Sequence, residues 1–229
     1  MEHSPEEAQK LKILQELLKD LCVAINSLDE KAPPPESAAA AYMQYVAVAI
    51  NRAADGFLVL RLAHRVAASK LLIRPALEAL IAGAAIANQP DLLSRKARSE
   101  WEEEIRMFPK CPERDAAFQK LWADFEQAVR RHKPGCQINP TPISTRDMAK
   151  EVGWEEIYDK VYRLYCKFTH GAVRAVRGEL DDSTDNRDTE IIIWCVFQAL
   201  VLLKSKTPAI VPDLDRLHDR LPHGSKVSS

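Results

Sequence analysis

The sequence predicts an all-α protein, a single-domain multi-helix bundle with an apolar helix near residues 190–204 at its centre. Three observations carry that expectation. Apolar residues recur three and four apart over long stretches, as on one face of a helix. The alternating, β-branched pattern of half-buried strands is absent, and no period of 20 to 50 residues repeats. The run from Ile191 to Leu203 is apolar on every side, which only a position surrounded by other helices accommodates.

In chain order, Glu6 to Leu28 places Leu11, Leu14, Leu17, Leu18, Leu21 and Ile25 on one stripe, and Pro33, Pro34 and Pro35 end it. Ser37 is a candidate N-cap for a second helix through the Ala-rich stretch 38–54; Phe57 to Leu62 resumes the apolar pattern, with Gly56 a break or a close packing point. A third apolar helix runs from Val66 to Ala87, where Pro75 calls for a kink or a new start before Asn88, Gln89 and Pro90 close it. Asp91 to Met107 is strongly charged, and 113–132 is amphipathic through Phe118, Leu121, Trp122, Phe125 and Val129. A proline- and glycine-containing loop follows from Lys133 to Ser144. Thr145 is expected to cap a short helix to Val152, and Gly153 precedes a long helix. The polar loop Asp181 to Asp188 leads into the apolar helix from about Glu190 to Lys204. The domain expectation is an N-terminal helix and Pro-rich linker over 1–36, a bundle over 37–207 and a loosely held tail over 208–229.

Composition bounds what the bundle does. The chain has 229 residues, 46% hydrophobic and 28% charged, ordinary for a globular protein able to bury a core. With 32 Lys and Arg against 33 Asp and Glu there is no overall positive field to steer nucleic acid, so any anion binding must be local. Five scattered cysteines, Cys22, Cys111, Cys136, Cys166 and Cys195, lack C-x-x-C spacing; this fits reduced thiols in a cytoplasmic protein and gives no metal site. The polar, acidic first residues do not read as a secretory signal, and the 13-residue run Ile191 to Leu203 is too short for a bilayer, so no membrane partner is expected. No glycine-rich phosphate loop follows a strand, and no cofactor is expected.

Three constellations could carry chemistry. On the long helix, Lys160, Arg163, Lys167, His170, Arg174 and Arg177 fall at spacings of 3, 4, 3, 4 and 3 and stack into a basic stripe for phosphates, backed by Val161, Leu164, Tyr165, Phe168, Ala172, Ala175 and Val176. Within it Arg163 and His170 stand two turns apart, so a guanidinium could hold one phosphate while an imidazole exchanges a proton with it. The plainer reading is a solvated charged face and a histidine bonded to its neighbour. Arg74 and Glu78, four apart in an apolar helix, would be costly to bury unpaired; they make either an architectural ion pair or a polar cavity for a ligand. The run Arg130, Arg131, His132, Lys133 reads as solvated surface or as an extension of one anion-binding patch.

The strings Leu72-Ile73-Arg74-Pro75-Ala76-Leu77-Glu78-Ala79 and Ser144 to Gly153, followed by Tyr158, Tyr162, Arg163 and Phe168-Thr169-His170-Gly171, resemble a group of uncharacterised bacterial helical domains. Those pair an early Arg-x-x-x-Glu helix with a late tyrosine-rich helix ending in His-Gly, and they look related to the HEPN superfamily of helical bundles. Many HEPN proteins are metal-independent endoribonucleases of toxin–antitoxin and phage-defence systems, with an Arg-x(4–6)-His motif at a dimer interface. Arg163-x6-His170 fits that spacing, although active members carry a polar residue after the arginine and here it is Leu164. The resemblance implies a homodimeric endoribonuclease with Arg163, His170, Arg74 and Glu78 as catalytic candidates, RNA as substrate and an antitoxin or other protein as partner. The competing expectation is a non-catalytic module that binds a small anion or a protein, with Arg74, Glu78 and His170 as a buried network.

Overall fold

The computed structural model describes residues 4–31, 38–107, 141–169 and 185–206, with scattered positions between 116 and 131. All of the regular structure among them is helical. Helix α1 is Pro5–Lys31, α2 Ala38–Leu62, α3 Val66–Lys70, α4 Ile73–Asn88, α5 Leu92–Met107 and α6 Thr145–Glu151. Helix α7 is continuous through Glu155–Ile157, Tyr158–Tyr162 and Arg163–Thr169, its middle stretch wound as a π-helix, and α8 is Asp185–Lys206. The described positions between 116 and 131 are helical as well.

The core is built by α1, α2, α4 and α8, each of the last three packing on the others and α1 packing on α2 and α8. Leu11, Leu14, Leu17, Leu18 and Leu21 of α1 meet Val46, Ala47, Ile50, Ala54 and Phe57 of α2, with Ile73, Leu77 and Leu80 of α4 completing the wall. Helix α8 fills the middle. Ile192, Ile193, Trp194, Cys195, Val196, Phe197, Ala199 and Leu200 are all buried, as expected of a helix apolar all round. A smaller apolar cluster of Met43, Ile81, Ala85, Ile86, Leu92, Ile143, Met148 and Ala149 joins α2 and α4 to α5 and α6.

Local chemistry explains where the helices start and stop. α2 passes unbroken through Gly56, which is a close-packing point: a Cβ there would lie 2.9 Å from Leu72 Cδ1. Pro75 marks a new start rather than a kink, because α4 begins at Ile73 and places the proline in the first turn, where its missing N–H is not needed. The cap of α6 is Ser144, not Thr145 as the sequence suggested; the Ser144 hydroxyl accepts from the Asp147 amide at 3.1 Å and donates to the Asp147 carboxylate. Gly153, at φ 71°, supplies the left-handed turn between α6 and α7. Trp154 then meets Trp194 edge to face at 5.4 Å, docking the start of α7 on α8. Ser99 fastens the segment before α6 by accepting from the Ile143 amide at 2.7 Å and donating to its carbonyl at 2.8 Å.

The stretch Val66–Asn88 is long and apolar enough by composition to cross a membrane, but 56% of its most apolar window is buried inside the bundle, as in a core helix.

Candidate functional site

Two clusters of charge lie inside the bundle, and their exposure separates them. The first is sealed. Glu7 at the start of α1 accepts from Arg61 Nη2 at 2.5 Å and Nε at 3.2 Å, and from Thr189 Oγ1 at 2.7 Å, all on its Oε1. The Arg61 and Glu7 side chains retain 2% and 6% of their exposure. Beside them the Tyr165 hydroxyl donates to the fully buried Asp188, and Lys70 Nζ stands 3.6 Å from Asp188 Oδ2. Burial first, and then the Asp188 carboxylate, push the Tyr165 phenol well above its ordinary range, so it remains a donor. At the rim Lys10 bridges Glu190 and Glu6, each at 2.7 Å. This network joins α1, α2, α3, α7 and α8, and none of its charged members was a candidate site residue in the sequence.

The signal for it was nonetheless in the helical rows. Glu7 continues the row of Leu11, Leu14, Leu18 and Leu21; Arg61 continues Ala54, Phe57 and Leu58; Asp188 continues Ile192, Cys195 and Ala199. A charge on an apolar row faces the core and needs a partner there, although the rows do not say which of them converge.

The second cluster is open. Arg74 and Glu78 stand one turn apart in α4, with Arg74 Nε 3.9 Å from Glu78 Oε2. The Tyr162 hydroxyl, on the π-helical stretch of α7, donates to Glu78 Oε2 at 3.3 Å, and the Arg74 guanidinium carbon lies 5.8 Å from the Tyr162 ring centroid. Lys96 of α5 reaches Glu78 Oε1 at 3.7 Å and the exposed Glu100 at 3.4 Å. Tyr158 stacks on Tyr162 at 4.9 Å, and Tyr42 of α2 borders the cluster. Three elements therefore converge here: α4 brings the ion pair, α5 the lysine and α7 the phenol.

The electrostatics match that geometry. Burial, followed by the Glu78 charge, raises the Tyr162 phenol to about 12, so it is a proton donor at neutral pH. Burial alone would lower Arg74, yet Tyr162, Cys166 and Glu78 together hold its guanidinium above the ordinary value, fixing its positive charge. Tyr42 is likewise raised, by burial and then by Glu100, Tyr45 and Glu78.

Arg74 and Glu78 were expected to be mostly buried; their side chains instead keep 24% and 32% exposure. The cause is position. They lie on the outer side of the first turns of α4, next to the exposed Pro75 and opposite the buried Ile73, Ala76 and Leu77, whereas from Leu80 to Ile86 every residue is buried. The Arg74 guanidinium, near the Tyr162 ring and loosely paired with Glu78, stays partly open to an incoming anion.

The basic stripe is less uniform than a straight α-helix would make it. The π-helical turn at Tyr158–Tyr162 inserts extra backbone into the row, so residues before and after it do not keep a 3.6-residue register. Lys160 and Arg163 are exposed, and each is answered from its own helix, Lys160 by Glu156 and Arg163 by Asp159 at 3.5 Å. The Lys160 ammonium holds the Glu156 carboxyl below its ordinary range. Arg146 of α6 also approaches Asp159, at 3.8 Å. The side chain of Lys167, and His170, Arg174 and Arg177 entirely, lie outside the described residues. Of the second basic run, Arg130 and Arg131 pair one turn back with Glu126 and Gln127, while His132 and Lys133 lie outside the described residues. Tyr162, Lys96 and Tyr42 are the site residues that the sequence reading did not assign; Lys96 sits in a strongly charged helix with nothing in its spacing to single it out.

Comparison with known proteins adds the family and no activity. No curated protein and no solved structure matches the chain. A model of a family of unknown function, DUF5677, matches residues 41–188, from α2 to the start of α8 and including both halves of the open cluster, and the chain belongs to that family.

Proposed function

We propose that the protein is a HEPN-like helical effector of the toxin–antitoxin or phage-defence kind, acting in the cytoplasm, whose working centre is the open Arg74–Glu78–Tyr162 cluster and whose ligand is the phosphodiester of single-stranded RNA. The observation that carries this reading is the contrast in exposure between two charge clusters of one fold. Where charge serves the fold, at Glu7 and Arg61, it is sealed from water; at Arg74 and Glu78 a cation and a carboxylate remain partly accessible together, with the buried Tyr162 phenol bonded behind them. Lys96, largely buried and 3.7 Å from Glu78 Oε1, adds a second cation behind the carboxylate.

In the catalytic form of the proposal Arg74 and Arg163 hold phosphate oxygens, and His170 takes the proton from the ribose 2′-hydroxyl. The 2′-oxygen attacks the adjacent phosphorus, the bond to the 5′-oxygen breaks, and that oxygen takes up a proton; the products are a 2′,3′-cyclic phosphate and a 5′-hydroxyl end. Chelator should leave such cleavage intact. End-labelled RNA incubated with the purified protein tests it: His170→Ala is expected to abolish cleavage while nearly keeping binding. Arg174→Ala and Arg177→Ala are expected to weaken binding and to flatten its dependence on salt. A parent protein that neither binds nor cuts RNA at low salt, or His170→Ala cutting as fast as the parent, would overturn the ribonuclease reading.

One observation favours a second, non-catalytic form. The Glu78 carboxylate is engaged by Arg74, Lys96 and Tyr162 at once, which suits an orienting group better than a base. In that form the cluster binds a small anion or the acidic side chain of a protein partner, and no bond is broken.

A further inference from the structure

Among the described residues the exposed large apolar side chains are few, and three of them lie in one row on α2: Tyr45, Val59 and Leu62, which keep 63%, 57% and 55% of their exposure. With the half-buried Val48 and the exposed Arg52 and Asp55 they fall at 45, 48, 52, 55, 59 and 62, spacings of 3, 4, 3, 4 and 3. That is the a/d repeat of a coiled-coil seam, carried on the side of α2 that faces away from α1, α4 and α8. The row extends along about 26 Å of helix at 1.5 Å per residue.

The order of residues in the row specifies what fits it. Reflected about the midpoint between residues 53 and 54, Tyr45 falls on Leu62, Val48 on Val59 and Arg52 on Asp55. A two-fold axis at that midpoint, perpendicular to the helix, therefore sets two copies of α2 antiparallel with apolar opposite apolar at both ends. In the middle it forms two identical ion pairs, Arg52 of each copy with Asp55 of the other. A parallel pairing would set arginine on arginine and aspartate on aspartate, which charge repulsion disfavours. Among the described residues neither Arg52 nor Asp55 has an ion pair within its own chain, so both charges are available across the seam.

We propose that the outer face of α2 is a self-association surface, and that its occupant is α2 of a second copy of this chain in antiparallel register. A contact of this kind is distinct from a pairing through Arg163 and His170, and it leaves the Arg74 cluster unchanged. One helix against one helix is a small interface, so the dimer is concentration-dependent rather than obligate.

Sedimentation velocity over about 1–200 μM is the test, a range that spans the affinities of small interfaces. The parent chain is expected to pass from monomer to dimer within it. Arg52→Asp alone and Asp55→Arg alone each place like charges opposite one another twice, and each is expected to weaken association at least about tenfold. The double variant Arg52→Asp with Asp55→Arg exchanges the two charges and is expected to restore the dimer, which a merely destabilised fold would not do. Far-UV circular dichroism melts of all three should match the parent, since both positions are exposed, and RNA binding should be unchanged. A parent that stays monomeric to the top of the range overturns the proposal, including the case in which it floats with phosphatidylserine vesicles instead. So does a dimer indifferent to the single exchanges, or one that the double exchange fails to recover.

Discussion

Replacing Arg61 by Met would remove the guanidinium from Glu7 Oε1 and leave it the Thr189 hydroxyl, deep in the bundle. An uncompensated buried carboxylate costs about 3–5 kcal/mol, so Arg61→Met is expected to lower the urea midpoint steeply, with the slope of the transition preserved. A midpoint within error of the parent would show that the network does not hold the fold. Glu78→Ala belongs at the other end of the scale. Both members of its pair are partly in water, and the ion pair with Arg74 is loose at 3.9 Å, so the loss of stability should be about 1 kcal/mol or less. A thermal melt of Glu78→Ala close to the parent's is the expected outcome; a collapse of many degrees would make Glu78 architectural. Sequence reasoning did not single out Tyr162, but it set Arg74 beside Glu78, because charges four apart in an apolar helix announce a partner. It overestimated their burial, because spacing says which face a residue occupies and nothing about how far that face lies from the bundle's edge.

Helix α4 owes its seat against α2 to Gly83. A Cβ added there would stand 2.8 Å from Val46 Cγ1 and 3.2 Å from Cγ2, and Val46 is β-branched and has little freedom to turn away. Gly83→Ala is therefore expected to destabilise by about 1–3 kcal/mol, and Val46→Ala in the same chain to recover part of the loss. Calorimetry of the two single variants and the double measures this; simple additivity would show that the two residues do not touch. The π-helical stretch of α7 is the element that no periodicity argument could find. An inserted residue leaves the composition of a helix untouched while turning every later side chain relative to the earlier ones. It sets Tyr162 toward Glu78 while Arg163, the next residue, faces water beside Asp159. Lys160 and Arg163 were legible as basic surface; their acidic neighbours Glu156 and Asp159, which also lie one turn back in the sequence, were the part of the pattern left unread.

For the whole molecule the fold was largely legible, because an all-α bundle is written in one period. Among the described residues α1, α2, α4 and α8 lie where their apolar rows indicate, and α8, apolar all round, is where such a helix must be. Amide exchange is expected to be slowest across Ile192 to Leu200, which only global unfolding exposes; fast exchange there would contradict a central α8. The sealed network was less legible because its members lie far apart in sequence, on separate helices, and which distant rows converge depends on the packing. The account rests on a division of labour between two arginines, one sealed for stability and one open for a ligand. Anisotropy of a fluorescent single-stranded RNA at low salt, titrated with Arg74→Gln beside the parent and with the melting temperature of each recorded, tests it most directly. The expected result is a melt near the parent's with affinity reduced at least about tenfold, the loss of one charge-assisted contact of about 1.5 kcal/mol or more. An Arg74→Gln protein that is folded and binds RNA as tightly as the parent would contradict the central claim.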